Sequence, residues 1–295
     1  MFETLKIERK DGYAVVTLNR PGALNALSSK LIREFAAAFA EFETDPDVEL
    51  VILTGAGRAF CAGLDTKELG TAGVHAFDIE KFNIPDIIER FPGPVIAAIN
   101  GLAVTGGFEI ALACDAILVA ESARFIDSHS RIGLLPGWGL SQRLSRAIGP
   151  YRAKDLSLSG RALSGSEATA WGLASRCVPD GELLDAAGKL AREMVAAKPG
   201  MLVALKVLIN EGNRLPLGDA LAMENAMARA ANSVRGPDQL GIKKGHRPPG
   251  SGSPGIALCN SCTNVRNALC SASSRRRRRN TCRSFRTPCR RDATI

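Results

Sequence analysis

The segment Pro94-Val-Ile-Ala-Ala-Ile-Asn-Gly-Leu-Ala-Val-Thr-Gly-Gly-Phe-Glu-Ile-Ala-Leu-Ala-Cys-Asp115 decides the fold of this 295-residue chain. Its apolar stretch Val95–Ile99 predicts a buried strand, and Asn100-Gly101 predicts the turn that ends the strand. The glycine pair Gly106-Gly107 then opens a helical pattern with one carboxylate, Glu109, in its first turn. A strand, a turn and a glycine-led helix in this order indicate an α/β fold.

A second segment, Ala59-Phe-Cys-Ala-Gly-Leu-Asp65, repeats this arrangement: it follows the apolar strand Leu50–Thr54 and contains the turn Ala62-Gly63. Small residues in a turn let a ligand oxygen approach a backbone N–H group. Two such groups that point at one atom form an oxyanion hole. This chemistry suits a thioester carbonyl that gains negative charge during a reaction.

At these two segments the chain resembles the enoyl-CoA hydratase/isomerase family, the crotonases. The resemblance covers roughly residues 2–233 and includes further motifs in the family's order. These are Asn19-Arg-Pro-Gly-Ala-Leu-Asn-Ala-Leu27, Pro136-Gly-Trp-Gly-Leu-Ser-Gln-Arg-Leu144, Gly160-Arg-Ala-Leu-Ser-Gly-Ser-Glu-Ala168 and Ala170-Trp-Gly-Leu-Ala174.

The resemblance implies a crotonase-like spiral of ββα units over residues 1–180 and a helical oligomerisation region over 181–235. Periodicity alone predicts an α/β core followed by helices, including helices at Ser28–Glu43 and Asp78–Phe91. By resemblance, the assembly is a homotrimer or a dimer of trimers. The apolar positions of the last helices, Leu205 and Leu221 among them, are typical of an interface.

The resemblance assigns the oxyanion-hole N–H groups to Ala62 and Gly106, and one catalytic carboxylate to Glu109. Gly106 would also place a helix N-terminus beside the developing charge. The alternative interpretations are plain packing turns at Ala62 and Gly106. If Gly106 is the N-cap, Glu109 instead falls where a capping glutamate belongs.

The second catalytic glutamate of the hydratases is replaced by His129, within Phe125-Ile-Asp-Ser-His-Ser-Arg-Ile-Gly133. Imidazole titrates near neutral pH, so His129 could serve as a general acid or base. It could equally be a satisfied polar residue in a cleft that has lost activity.

Further residues resemble the walls of the family's substrate site. Arg20, Ala23 and Leu24 on one side, and Asp65 and Lys67 on the other, resemble the loops that pass the adenine and phosphates of CoA. For Arg20 and Lys67 the alternative is a solvated surface charge.

Two large side chains, Trp138 and Leu140, stand where the family has small residues in its glycine-rich loop. They are predicted to narrow or reshape the acyl pocket. The alternative for both is core packing.

The net charge of +8 belongs to the end of the chain. Residues 236–295 hold 13 of the 38 basic residues and two of the 30 acidic ones, so residues 1–235 are net acidic. This low-complexity tail is predicted to be disordered. Its cysteine spacing fits no zinc motif, and its Arg275–Arg279 run is weak evidence for nucleic-acid binding.

The prediction is an acyl-CoA enzyme that hydrates a trans-2-enoyl-CoA, with no metal and no cofactor other than the CoA of its substrate. The alternatives are isomerisation or another crotonase-type lyase or hydrolase reaction, or acyl-CoA binding without catalysis. With no secretory signal or membrane span in view, the predicted location is cytoplasmic.

Overall fold

A computed structural model describes residues 2–78 and 81–233. The prediction for the 236–295 tail lies outside the described residues. Within the part of the chain that the structure describes, no helix is both long and apolar enough to cross a bilayer.

Ten strands form two sheets in the described residues. In chain order they are β1 (Leu5–Lys10), β2 (Tyr13–Leu18), β3 (Leu50–Gly55), β4 (Ala59–Cys61), β5 (Val95–Ile99), β6 (Leu102–Val104), β7 (Ala116–Ala120), β8 (Arg124–Ile126), β9 (Ala162–Ser164) and β10 (Arg176–Val178).

The large sheet has the order β1-β2-β3-β5-β7-β10, and the small sheet has the order β4-β6-β8-β9. All pairs are parallel except β1–β2 and β8–β9. Three times the chain passes from a strand of the large sheet to one of the small sheet and then into a helix, which is the repeat of a ββα spiral. β3 is buried along its whole length, as expected of a parallel strand that is covered on both faces.

The helices of the described residues follow in chain order. They are α1 (Ser29–Thr44), α2 (Thr66–Ala72), α3 (Ile84–Arg90), α4 (Gly106–Ala113), α5 (His129–Ile132), α6 (Leu140–Ile148), α7 (Pro150–Ser159), α8 (Gly165–Ala170), α9 (Leu183–Val195), α10 (Met201–Gly212) and α11 (Leu217–Asn232).

Two helix predictions had different outcomes. The helix predicted at Ser28–Glu43 is confirmed as α1, and the Ser28 hydroxyl accepts a hydrogen bond from the Leu31 N–H as its N-cap. The helix predicted at Asp78–Phe91 is wrong at its start, because α3 begins at Ile84. The Asn83 side chain caps α3 by accepting from the Asp86 N–H.

The helices in the predicted helical region after residue 180 differ in how much of their surface is buried. α9 packs against strands of the large sheet and buries Leu183, Ala187 and Ala191. The chain divides into two compact units between Lys206 and Val207. In the second unit, α11 buries none of its residues. The domain boundaries at 180 and 235 remain predictions.

Candidate active site

The start of α4 fits tightly against the end of β4. A Cβ atom on Gly107 would lie 2.1 Å from the Cys61 carbonyl oxygen, so only glycine fits there. A Cβ atom on Gly63 would lie 3.3 Å from the Gly106 backbone nitrogen. The two small-residue turns predicted to cooperate are therefore neighbours in the structure.

The two N–H groups of the predicted oxyanion hole are in different situations. Gly106 is the first residue of α4, and a first-turn N–H group has no acceptor within its own helix. The Ala62 N–H instead donates to the Leu24 carbonyl oxygen at 3.1 Å. A ligand oxygen at Ala62 would have to compete with this carbonyl.

The loop that carries this carbonyl is held by a buried amide that sequence analysis did not single out. Leu24 and Asn25 both have positive φ, at 52° and 56°. The Asn25 side chain donates to the carbonyl oxygens of Ala56 and Ala59 at 2.9 and 2.7 Å. It also accepts from the Arg20 N–H at 2.9 Å. The sequence signal that could have identified this residue is the asparagine itself, because asparagine tolerates the left-handed conformation that this loop requires.

We expect Asn25→Ala to lower the free energy of unfolding by about 2 kcal/mol, because it leaves one buried and one partly buried carbonyl oxygen without this donor. Chemical denaturation measures the change. The exposed Asn213, replaced by Ala, is the control and should change stability by less than about 0.5 kcal/mol. Equal stability of the two variants would contradict the role of Asn25.

Glu109 lies in the interior of the site with 3% of its surface exposed. Its Oε1 atom accepts from the Trp138 N–H at 2.8 Å and the Leu140 N–H at 3.3 Å. Burial raises its pKa above the ordinary value, although these two N–H groups and His129 act in the opposite direction. The capping interpretation of Glu109 is wrong: Thr105 is the N-cap of α4, and the carboxylate contacts another loop.

His129 is also buried, and it faces Glu109 across a short gap. Its Nε2 atom lies 3.9 Å from Glu109 Oε2, and its Nδ1 atom lies 2.7 Å from Asp127 Oδ1. Burial alone would raise the pKa of Asp127, but hydrogen bonds from His129 and Ser157 outweigh it, so this pKa is lowered. The structure thus brings together the two residues that the sequence proposed as catalytic.

The residues predicted to contact CoA lie in two neighbouring segments, the turn that carries Arg20, Ala23 and Leu24 and the start of α2 that carries Asp65 and Lys67. Arg20 Nη2 forms an ion pair with Asp65 Oδ2 at 2.9 Å. Asp65 also caps α2 by accepting from the Lys67 and Glu68 N–H groups. Lys67 is exposed. Ala23 lies in a short 3-10 turn. Arg20 is therefore engaged within the protein, while Lys67 keeps its ammonium group toward solvent.

Trp138 and Leu140 are both buried, and their backbone N–H groups hold Glu109 as described above. The indole of Trp138 lies beside the start of α4, since its Cζ3 atom is 3.5 Å from the position of a Cβ atom on Gly106. The sequence predicted a side-chain role for these two residues and missed the backbone role.

A family model described as enoyl-CoA hydratase/isomerase matches residues 8–241. The chain belongs to the enoyl-CoA hydratase/isomerase family. Most of the basic tail lies beyond the matched residues.

Individual members of the enoyl-CoA hydratase/isomerase family are similar to this chain over most of their length. "Probable enoyl-CoA hydratase 1, peroxisomal" of Arabidopsis thaliana is 40% identical, with 74% of this chain and 83% of the relative covered. The short-chain-enoyl-CoA hydratase of Clostridium acetobutylicum is 39% identical, with 74% and 85% covered. The crystal structure of an enoyl-CoA hydratase from Bacillus anthracis superposes with a TM-score of 0.75 at 33% identity, covering 81% of this chain and 93% of that one. The predicted crotonase fold is confirmed.

Proposed function

We propose that this enzyme adds water to a trans-2-enoyl-CoA to give a 3-hydroxyacyl-CoA. The observation that carries the proposal is the position of Glu109. One carboxylate oxygen is fixed by two backbone N–H groups, and the other faces His129 at 3.9 Å beside the two small-residue turns. The names of the relatives support the same reaction.

In the proposed reaction, the thioester oxygen is bound by the N–H groups of Ala62 and Gly106, and the Leu24 carbonyl gives up its bond to Ala62. These two N–H groups stabilise the negative charge that this oxygen gains in the enolate that forms when water adds to the β-carbon. Glu109 accepts the proton of the attacking water, and His129 donates a proton to the α-carbon.

The substrate's CoA would lie along the loops that carry Arg20, Ala23, Leu24, Asp65 and Lys67. Lys67 supplies an exposed positive charge for a phosphate group. No metal or cofactor beyond the CoA of the substrate has a part in the proposed reaction. The cytoplasmic location remains a prediction.

Turnover of a short trans-2-enoyl-CoA tests this function. We expect the conjugated enoyl absorbance to disappear and mass spectrometry to identify a 3-hydroxyacyl-CoA. A product of unchanged mass with a shifted double bond would support the isomerase alternative instead. Tight binding of the thioester without turnover would support the non-catalytic alternative.

We also propose a homotrimer or a dimer of trimers. Exposed leucine and isoleucine side chains in α10 and α11 support an interface, because patches of this kind usually contact another chain. They are Leu205, Ile209, Leu217 and Leu221, each at least 47% exposed. Light scattering at micromolar concentration should give three or six chains, and a monomer would contradict the proposal.

Trp138 is expected to limit the length of the acyl chain, because its indole occupies space beside Gly106. Trp138→Ala removes the ring and keeps the backbone N–H that holds Glu109. We expect the ratio of kcat/KM for an eight-carbon substrate over a four-carbon one to rise about tenfold, the effect of burying about two of the four additional methylene groups at about 0.8 kcal/mol each.

Trp171→Ala is the matched control for Trp138→Ala, since it removes the same ring at another place. The Trp171 ring stacks with the guanidinium groups of Arg152 and Arg161. This variant should leave the chain-length ratio unchanged. A ratio that also stays within about twofold in Trp138→Ala would assign Trp138 to packing alone.

A further inference from the structure

We propose that Asp127 is a positioning residue that fixes the His129 ring with its Nδ1 proton toward Asp127 and its Nε2 atom toward Glu109. This inference rests on the proposed function, in which His129 donates the proton to the α-carbon. It adds a third member, with a defined role, to the pair of residues that touch the reacting atoms.

The contacts of Asp127 restrain both the backbone and the ring of His129. Asp127 Oδ1 accepts from the His129 backbone N–H at 3.1 Å and lies 2.7 Å from Nδ1. Asp127 is 2% exposed, and its carboxylate also receives a hydrogen bond from Ser157. A buried carboxylate requires such donors, because burying an unpaired charge is costly. An ionised carboxylate can only accept, so the proton in the Nδ1 contact belongs to the ring.

The same arrangement leaves a defined pair of atoms for proton transfer. Glu109 Oε1 is held by the N–H groups of Trp138 and Leu140, so Oε2 is the oxygen that faces Nε2. The distance of 3.9 Å is too long for a direct hydrogen bond. Nε2 and Oε2 can therefore each contact a different reacting atom of the substrate and water.

The resulting cycle balances its protons. His129 begins as the imidazolium, with Glu109 ionised. The water oxygen bonds to the β-carbon and loses a proton to Oε2, while the α-carbon takes the proton from Nε2 and the carbon–carbon π bond is lost. Glu109 is then protonated and His129 neutral. Return of one proton from Oε2 to Nε2 through an intervening solvent water restores the starting state, in which the ionised Asp127 interacts favourably with the positive ring.

Two carboxylates therefore face the His129 ring from different elements of the described structure. Asp127 follows β8, and Glu109 lies on α4. Replacing Asp127 with the neutral Asn removes one of these charges, and the amide can donate as well as accept, so it no longer fixes the proton on Nδ1.

The test is Asp127→Asn, with Asp11→Asn at an exposed turn as the control. Nitrogen-15 NMR of histidine-labelled protein at about pH 9, where imidazole is ordinarily neutral, reads which ring nitrogen holds the proton. The chain has three histidines, and His129→Gln identifies the relevant signal. We expect an Nδ1-protonated ring in the parent and a mixed or Nε2-protonated ring in Asp127→Asn.

In activity assays, kcat of Asp127→Asn should fall about tenfold or more with KM within about twofold. Ser157→Ala is the milder second variant, because it removes one hydrogen bond and keeps the Asp127 charge. Its kcat should fall about twofold to threefold. An Nε2-protonated ring in the parent, or unchanged kcat in both variants, would overturn the proposal.

The NMR result does not depend on turnover. An Nδ1-protonated His129 in a protein that hydrates no enoyl-CoA would reject the proposed function and retain the positioning role. Hydration by a protein whose His129 is protonated on Nε2 would support the proposed function and reject the positioning role of Asp127.

Discussion

Glu109→Gln is expected to lower kcat/KM for enoyl-CoA hydration by about two orders of magnitude or more, the usual scale for loss of a general base. The amide keeps a carbonyl oxygen that can accept from the Trp138 and Leu140 N–H groups. It cannot take a proton from water. Steady-state kinetics with a short trans-2-enoyl-CoA gives the change.

Stability separates this loss of chemistry from misfolding. Burial is the largest cause of the raised pKa of Glu109, so folding disfavours its ionised form. A raised folded-state pKa means that the associated stability is present below the unfolded pKa and is lost as pH rises through the folded one. Where Glu109 is ionised it therefore costs stability, and Gln should leave Tm unchanged or higher.

The raised pKa of Glu109 also determines where activity falls at low pH, the acid limb of the pH profile. Glu109 must be ionised to accept a proton, so activity should fall as pH drops through its raised pKa, above the range of an exposed glutamate. The exposed Glu43, changed to Gln, is the control and should alter neither the rate nor the limb. A Glu109→Gln variant with activity within a few-fold of the parent would remove Glu109 from the mechanism.

The large sheet could be predicted from the sequence because its central strands are continuous apolar runs. β5 has the predicted bounds, and β3 extends one residue beyond the predicted Leu50–Thr54, since a parallel strand covered on both faces needs no alternation. The small sheet could not be predicted in this way. Its strands are three residues long, which is too short for any periodicity to be visible.

The site likewise contains features that the sequence predicted and features that it did not. Motifs located the two small-residue turns, Glu109 and His129. The hydrogen bonds that hold Glu109 come from backbone atoms 29 and 31 residues away, and every residue type except proline supplies a backbone N–H. For the same reason, nothing in the sequence indicates that the Leu24 carbonyl accepts from Ala62.

His129→Ala is expected to reduce kcat/KM by about two orders of magnitude as well, because it removes the group that protonates the α-carbon. Unlike Glu109→Gln, it should also lower Tm. Asp127 would lose its Nδ1 donor while remaining buried, and a buried carboxylate with fewer donors is less stable.

The pH dependence of this instability has a definite sign. The lowered pKa of Asp127 gives stability that is present above its unfolded pKa and is lost as pH falls through the folded one. His129→Ala removes the largest of the contacts that lower this pKa. The Tm deficit should therefore be greatest near neutral pH and shrink in acid, which thermal melts between pH 3 and pH 8 would measure.

His129→Gln separates the two roles of the ring. Its amide N–H can donate to Asp127, so Tm should recover, but an amide carries no transferable proton, so the activity should not. If His129→Ala instead hydrates the substrate as fast as the parent at every pH, the α-carbon proton must come from Glu109 or from water. His129 would then stabilise the fold through Asp127 and have no part in the reaction.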